Sequence, residues 1–271
     1  MDTVELFDAS RQRPIPVALY PAQGKPLGWL LFSVGFGGSC TGYAFLGRAW
    51  SQLGFQVAVI EHVGSNADVL KQIHRPGMRQ AELAVVVGQR ARQEEELLAR
   101  PLDLAFVRAN LCGQSDWVGL GGHSFGTYTA LAGMGCEMLL PSGPRNWDFG
   151  LDWAGVVLLS PPSPDTVVSD RGLSQVTIPC LLLTGTRDSG MPAGVTYQQR
   201  LQNFERLPAG RKYSALLVGA DHMSLAGIGL AVAPVVETLA QVTGQFWLAV
   251  QQDRDPNWPG RLPMEVKYEQ G

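Results

Sequence analysis

Short apolar runs recur through the 271-residue chain, separated from one another by stretches of helix length or longer. Residues 29–34, 56–60, 117–121, 155–159, 180–184 and 213–218 read as strands, and the later ones (VVLL, CLLLT) are apolar almost throughout. A strand shows such an unbroken run when helices cover both faces of its sheet. The stretches near residues 43–53, 79–98, 102–111, 125–133, 195–207 and 230–249 read as those helices. Strands alternating with helices predict an α/β fold on a mostly parallel, doubly wound sheet. Residues 15–20 add an early strand whose prolines place it at an edge, and residues 4–7 give it a weaker hairpin partner. The expectation is about eight strands in a single domain spanning residues 1–271. Residues 64–78 and 135–152 fit the alternation poorly and read as long loops, the second with an exposed-looking Trp147. Residues 251–271 read as a polar tail, packed on the surface or frayed.

Composition narrows the partners. With 45% hydrophobic residues and no long polar tract, the chain is not disordered. A net charge of -3 and a pI near 5.8 give no electrostatic footprint for nucleic acid. No apolar run approaches the roughly 18 residues that a membrane span needs. The first residues are charged and proline-interrupted, unlike a signal peptide, so a cytoplasmic location is expected. Cys40, Cys112, Cys136 and Cys180 form no CxxC pair and read as reduced, partly buried thiols. No metal is expected, because His62, His74, His123 and His222 show no metal-ligand spacing. The first βα unit lacks GxGxxG and Walker patterns, which argues against a nucleotide.

Chemistry concentrates in residues 117–131, WVGLGGHSFGTYTAL. An apolar strand runs into Gly122-x-Ser124-x-Gly126, and a helix-forming run follows at once. A strand-to-helix turn this sharp forces Ser124 into strained geometry and needs glycines where the chain crosses itself closely. It presents the serine hydroxyl at the sheet's edge with a helix N-terminus behind it. A serine hydroxyl is a weak nucleophile without a base that a third group orients. The later chain supplies both, Asp188 after the strand at 180–184 and His222 after the strand at 213–218. Asp165, after the strand at 155–159, competes for the acid role. Asp221 adjoins His222 and diverges from it, which suits a loop cap. His62 and His123 read as packed or hydrogen-bonded residues and His74 as a loop residue. The backbone N–H of Phe125 is one candidate oxyanion donor. The glycine-rich loop after the strand at 29–34 offers the second, the N–H of Phe36. Trp147 and Met223, with the two phenylalanines, are candidates for an apolar substrate pocket.

These residues resemble the α/β-hydrolase superfamily and, within it, dienelactone-hydrolase-like and platelet-activating-factor-acetylhydrolase-like esterases. The likeness rests on RPIPV at 13–17, SVGFGG at 33–38, EHVGSN at 61–66, RPLDL at 100–104, GHSFG at 122–126, GTRD at 185–188 and GADHM at 219–223, nearly the whole chain. It implies a Ser124–His222–Asp188 triad, Phe36 and Phe125 amides as oxyanion hole, a small-molecule ester as substrate, and no cofactor or metal. Dienelactone hydrolases proper carry cysteine where this chain has Ser124. A His-Gly pair usual before the oxyanion loop reads Val34-Gly35 here. The acetylhydrolases take their acid from the earlier strand, where this chain has Ser160. The expected activity is therefore carboxylic-ester hydrolysis on short-chain or aryl esters. Thioester, amide or polyester cleavage by the same triad, and a non-catalytic binding role, are the alternatives.

Overall fold

The computed structural model describes residues 1–271 apart from 114, 190–193, 231 and the side chain of residue 80. In it the apolar runs become the interior of one large sheet. The strands, in chain order, are β1 (Asp2–Asp8), β2 (Arg13–Tyr20), β3 (Trp29–Ser33), β4 (Gln56–Ile60), β5 (Val118–His123), β6 (Met138–Leu140), β7 (Gly143–Arg145), β8 (Val156–Leu159), β9 (Cys180–Gly185), β10 (Lys212–Leu217) and β11 (Val266–Gln270). The helices are α1 (Ala44–Gln52), α2 (Ala67–Ile73), α3 (Gln80–Ala91), α4 (Glu94–Leu111), α5 (Phe125–Gly133), α6 (Asp170–Ser174), α7 (Tyr197–Glu205) and α8 (Ala233–Gln251). The start expected for the last helix, near residue 230, includes residue 231, which lies outside the described residues.

Nine strands pair in the order β1-β2-β4-β3-β5-β8-β9-β10-β11, and the six from β4 to β10 run parallel. Side chains alternate across this sheet, so each parallel strand feeds two cores. Leu31, Ala58, Ile60 and Leu120 meet Leu97, Leu104 and Val107 of α4 and Tyr128 and Leu131 of α5 on one face. Leu30, Phe32, Val57 and Val59 meet Trp50 of α1 and Leu239, Val242, Phe246 and Trp247 of α8 on the other. The first parallel strand, β3, has β4 on one side and β5 on the other. The connections leaving it and returning to it therefore diverge, and the loops after β3 and β5 part to leave a crevice at the carboxyl edge.

Five expectations need correction. Strand β2 is not the edge, since β1 covers it outside and β4 pairs with it inside. Its prolines are tolerated because pairing with β4 begins only at Val17, beyond Pro14 and Pro16. The helix expected over 79–98 and its neighbour over 102–111 divide differently, at Arg92 and Gln93, and α4 continues through Pro101. Proline cannot donate to the carbonyl four residues back, and here the Tyr128 hydroxyl donates to that Leu97 carbonyl instead, at 2.8 Å. Three acidic residues, Glu94, Glu95 and Glu96, favour the start of α4 electrostatically. Residues 64–78 contain α2, whose first turn is capped by the Asn66 side chain accepting from Val69 N–H at 3.3 Å. Residues 135–152 contain the β6–β7 hairpin. The polar tail supplies β11, a ninth strand antiparallel to β10, with Tyr268 stacked on Trp258 at 4.7 Å between centroids.

No helix among the described residues is long and apolar enough to cross a membrane. The α4 compensation gives a stability test. Replacing Tyr128 by Phe leaves the buried Leu97 carbonyl without its donor and should cost about 1–3 kcal/mol in urea-induced unfolding; an unchanged midpoint would contradict the role assigned to the hydroxyl.

Candidate active site

Ser124 sits between β5 and α5 with φ 53° and ψ -118°, a conformation costing on the order of 1–3 kcal/mol for a residue with a Cβ. The turn survives because its surroundings hold it. Ser124 N–H donates to the Leu159 carbonyl of β8 at 2.8 Å. A Cβ at Gly122 would overlap the Gly126 backbone, and one at Gly126 would overlap the Ser33 carbonyl at the end of β3. The two motif glycines thus let the end of β3, the elbow and the first turn of α5 pack against one another.

His222 reaches this point from the loop after β10. Its Nε2 lies 3.0 Å from Ser124 Oγ and its Nδ1 3.0 Å from Asp188 Oδ1. Asp188 follows β9 and is wholly buried. Its Oδ2 accepts from Thr184 Oγ1 at 2.8 Å, and Arg200 of α7, also wholly buried, places Nε 3.0 Å from Oδ1. Burial alone would raise the Asp188 pKa. The hydrogen bond from His222, the charges of His222 and Arg200, and a hydrogen bond from Ser160 outweigh it and hold the carboxyl well below the usual carboxylate range. An ionised carboxylate only accepts, so it takes the Nδ1 proton and leaves the Nε2 lone pair facing Ser124.

Ser160, Thr184 and Arg200 were not legible as site residues. Ser160 Oγ stands 2.7 Å from His222 Nδ1, and its φ of 51° turns the chain at the end of β8. A polar residue directly after an apolar strand was its only local signal. Arg200 lies on a polar helix, and its partner is fixed by the fold alone.

The rival residues lie elsewhere. Asp165 is exposed and paired with Arg206 at 2.7 Å. Asp221 accepts from Ser224 N–H at 2.8 Å and caps its own loop. His62 is buried between Ser33 Oγ at 2.9 Å and Asp103 Oδ2 at 3.0 Å. His123 packs 4.8 Å from the His222 ring, with Nδ1 2.8 Å from the Tyr43 hydroxyl. His74 is an exposed residue at the end of α2. Among the described residues, no three His, Cys, Asp or Glu side chains cluster as a metal site.

A cavity of about 210 Å³ opens beside Ser124 and His222. Phe36, Phe125 and Met223 line it, joined by Leu70 of α2 and Val87 and Ala91 of α3. Trp147 does not line it. That ring is buried edge-on against Tyr128 at 6.5 Å, because the β6–β7 hairpin folds it into the core. Along the loop after β3, the amides of Val34, Gly37 and Gly38 donate to the carbonyls of Ile60, Ser65 and Gly35. The Gly35 amide faces the Tyr43 hydroxyl, and that of Phe36 lies between these commitments. The Phe125 amide opens α5 and has no intrahelical acceptor. Phe36 and Phe125 also place their rings 6.5 Å apart. A hydroxyl with a base at hydrogen-bond distance, beside two amides at the mouth of an apolar cavity, is a geometry capable of acyl transfer.

The sequence matches no protein-family model and none of the curated proteins. Its structure does have neighbours. A ferulic acid esterase from Streptomyces cinnamoneus superposes with a TM-score of 0.64 at 18% identity, covering 98% of this chain and 94% of that one. An esterase domain from Rhodothermus marinus gives 0.56 at 15%, covering 92% and 98%. Dienelactone hydrolase from Anabaena variabilis gives 0.55 at 18%, covering 91% and 97%. The chain has the α/β-hydrolase fold.

The buried histidines set a pH dependence. Burial and the Arg100 charge lower His62 to about 4, and burial with the neighbouring His222 holds His123 well below its ordinary value. Both are neutral in the folded protein and free to protonate near pH 6.5 once unfolded. Stability is therefore full above about pH 6.5 and falls as pH drops towards 4, by about 3 kcal/mol for His62 alone. Urea midpoints measured between pH 7.5 and 4.5 should decline accordingly; a flat profile would refute neutral burial.

Proposed function

We propose that this protein is a serine carboxylic-ester hydrolase working through Ser124, His222 and Asp188. The observation that carries the reading is the single imidazole at 3.0 Å from both the Ser124 hydroxyl and the Asp188 carboxylate. The fold of its structural neighbours agrees with it.

In this mechanism His222 Nε2 takes the hydroxyl proton as Ser124 Oγ attacks the ester carbonyl. The negative charge on the carbonyl oxygen is met by the amides of Phe36 and Phe125, which are already fixed in the backbone and need no reorganisation. Asp188 stabilises the imidazolium and keeps its ring oriented. His222 then protonates the leaving alkoxide, and the alcohol departs from a Ser124 acyl-enzyme. Water, deprotonated by the same nitrogen, attacks the acyl carbon and returns the free acid and the hydroxyl. The cavity's size and the apolar Phe36, Phe125, Met223, Leu70 and Val87 around it favour a short acyl chain or one aromatic ring.

Ser124→Ala should abolish p-nitrophenyl acetate hydrolysis, by 10³-fold or more on the order expected for loss of a triad nucleophile. Its unfolding midpoint should stay close to the parent's, since alanine also carries a Cβ and keeps the same backbone strain. Undiminished turnover in that variant would refute the assignment. Asp188→Asn should lower kcat by on the order of 10⁴, whereas Asp165→Asn should leave it unchanged; the reverse pattern would move the acid to the earlier strand. Run beside these variants, a panel of esters, thioesters, amides and polyesters of graded acyl length should peak at short or aryl esters, and a maximum on another class would redirect the substrate reading.

A further inference from the structure

One buried guanidinium touches both walls of the crevice. Arg100, midway along α4, has no exposed surface. Its Nη2 donates to the Val34 carbonyl and, at 3.1 Å, to Ser33 Oγ. Its Nη1 donates to Ser65 Oγ at 2.8 Å and its Nε to Thr129 Oγ1 at 2.8 Å. The guanidinium carbon also lies 4.3 Å from the centre of the Phe125 ring. Ser65 in turn accepts the Gly37 N–H on its carbonyl at 2.7 Å. The loop after β3 is thus gripped at Val34 directly and at Gly37 through Ser65, on either side of Phe36. The α5 wall is gripped at Thr129, one turn beyond Phe125, and at the Phe125 ring.

The four hydrogen-bond acceptors are uncharged oxygens. A buried cation without a directly bonded carboxylate is an expensive way to fill space. Its rigid planar fork, however, can bind oxygens from several segments at once, which neither an aliphatic side chain nor a lysine can do. The network is braced from below. Ser33 Oγ is 2.9 Å from His62 Nε2, His62 Nδ1 is 3.0 Å from Asp103 Oδ2, and Asp103 takes Arg11 and Arg13, each at 2.8 Å.

We propose that Arg100 is a positioning residue for the oxyanion hole, fixing the Phe36 amide relative to the Phe125 amide while never touching the substrate. The proposal rests on the reading of those two amides as the oxyanion donors. Such a residue acts on the transition state rather than on ground-state binding, because misplacing preorganised donors by about 1 Å costs on the order of 10²-fold in rate.

The test uses the full-length protein with a p-nitrophenyl ester and a trifluoromethyl ketone that forms a tetrahedral adduct. Arg100→Lys keeps the charge and loses the fork. It should melt cooperatively, hold KM within about twofold, and lower kcat about 100-fold, with the ketone's affinity falling in parallel. Arg108→Lys, on the same helix, replaces a buried arginine bound to the Gly113 and Ser115 carbonyls and should leave kcat unchanged. A folded Arg100→Lys with kcat within twofold of the parent, or with only KM raised, overturns the proposal. If that variant fails to fold, Ser65→Ala combined with Thr129→Val decides, since the pair keeps the guanidinium and its bonds to Val34 and Ser33 but removes its hold on Gly37 through Ser65 and its hydrogen bond to α5; a drop in kcat at constant KM supports the proposal and an unchanged kcat overturns it. Absence of ester turnover in the parent, or its persistence in Ser124→Ala, strikes the hydrolase reading itself and removes this proposal with it.

Discussion

The site hangs on two places where backbone presses against backbone. Gly126 brings the first turn of α5 onto the Ser33 carbonyl, and Gly185 brings the end of β9 onto the Ala220 backbone, where any Cβ would overlap. The first contact aligns the elbow with the loop after β3. The second draws the turn bearing Asp188 against the loop bearing His222. Three side chains far apart in sequence meet within hydrogen-bonding distance because these crossings leave the loops little freedom. Precision of this kind comes from the sheet, and the loops inherit it.

Charge buried beneath those crossings adds a second constraint. Asp188 and Arg200 form an ion pair with no exposed side-chain surface on either partner. Such a pair contributes little net stability compared with apolar packing, yet losing one member leaves the other uncompensated at about 3–5 kcal/mol. Asp103 plays the same part beneath the other wall, shared by His62, Arg11 and Arg13. The interior around the site is therefore tied to one arrangement by polar groups with few alternative partners.

What the sequence made legible follows the range of the interactions involved. The parallel strands, the elbow at Ser124, and the positions of Asp188 and His222 are written locally, as apolar runs ending in glycine, aspartate or histidine. The continuation of α4 through Pro101 was hidden because the donor that permits it, Tyr128, belongs to another helix. Strand β11 was hidden because its polar composition acquires meaning only beside β10. Trp147 looked like a loop residue until the β6–β7 hairpin folded it inward. Arg100 falls between the two expected helices and Arg200 on a polar one, and nothing within a helical turn of either marks it as buried. Long-range partners, more than local propensity, separate the residues that were seen from those that were missed.

The two outermost strands also bear on how molecules meet in solution. β1 presents exposed Asp2 and Glu5, and β11 presents exposed Lys267 and Glu269. An edge strand is a ready template for a neighbour's backbone, and charge along it is a common safeguard. Two copies approaching β1 to β1 would set carboxylate against carboxylate, and a pairing on β11 would bury a lysine and a glutamate in the new seam. A long parallel sheet with an interior this apolar would be a seed for aggregation if its rims were bare. Here β1 and β11, each carrying exposed charges, form the two rims of the sheet.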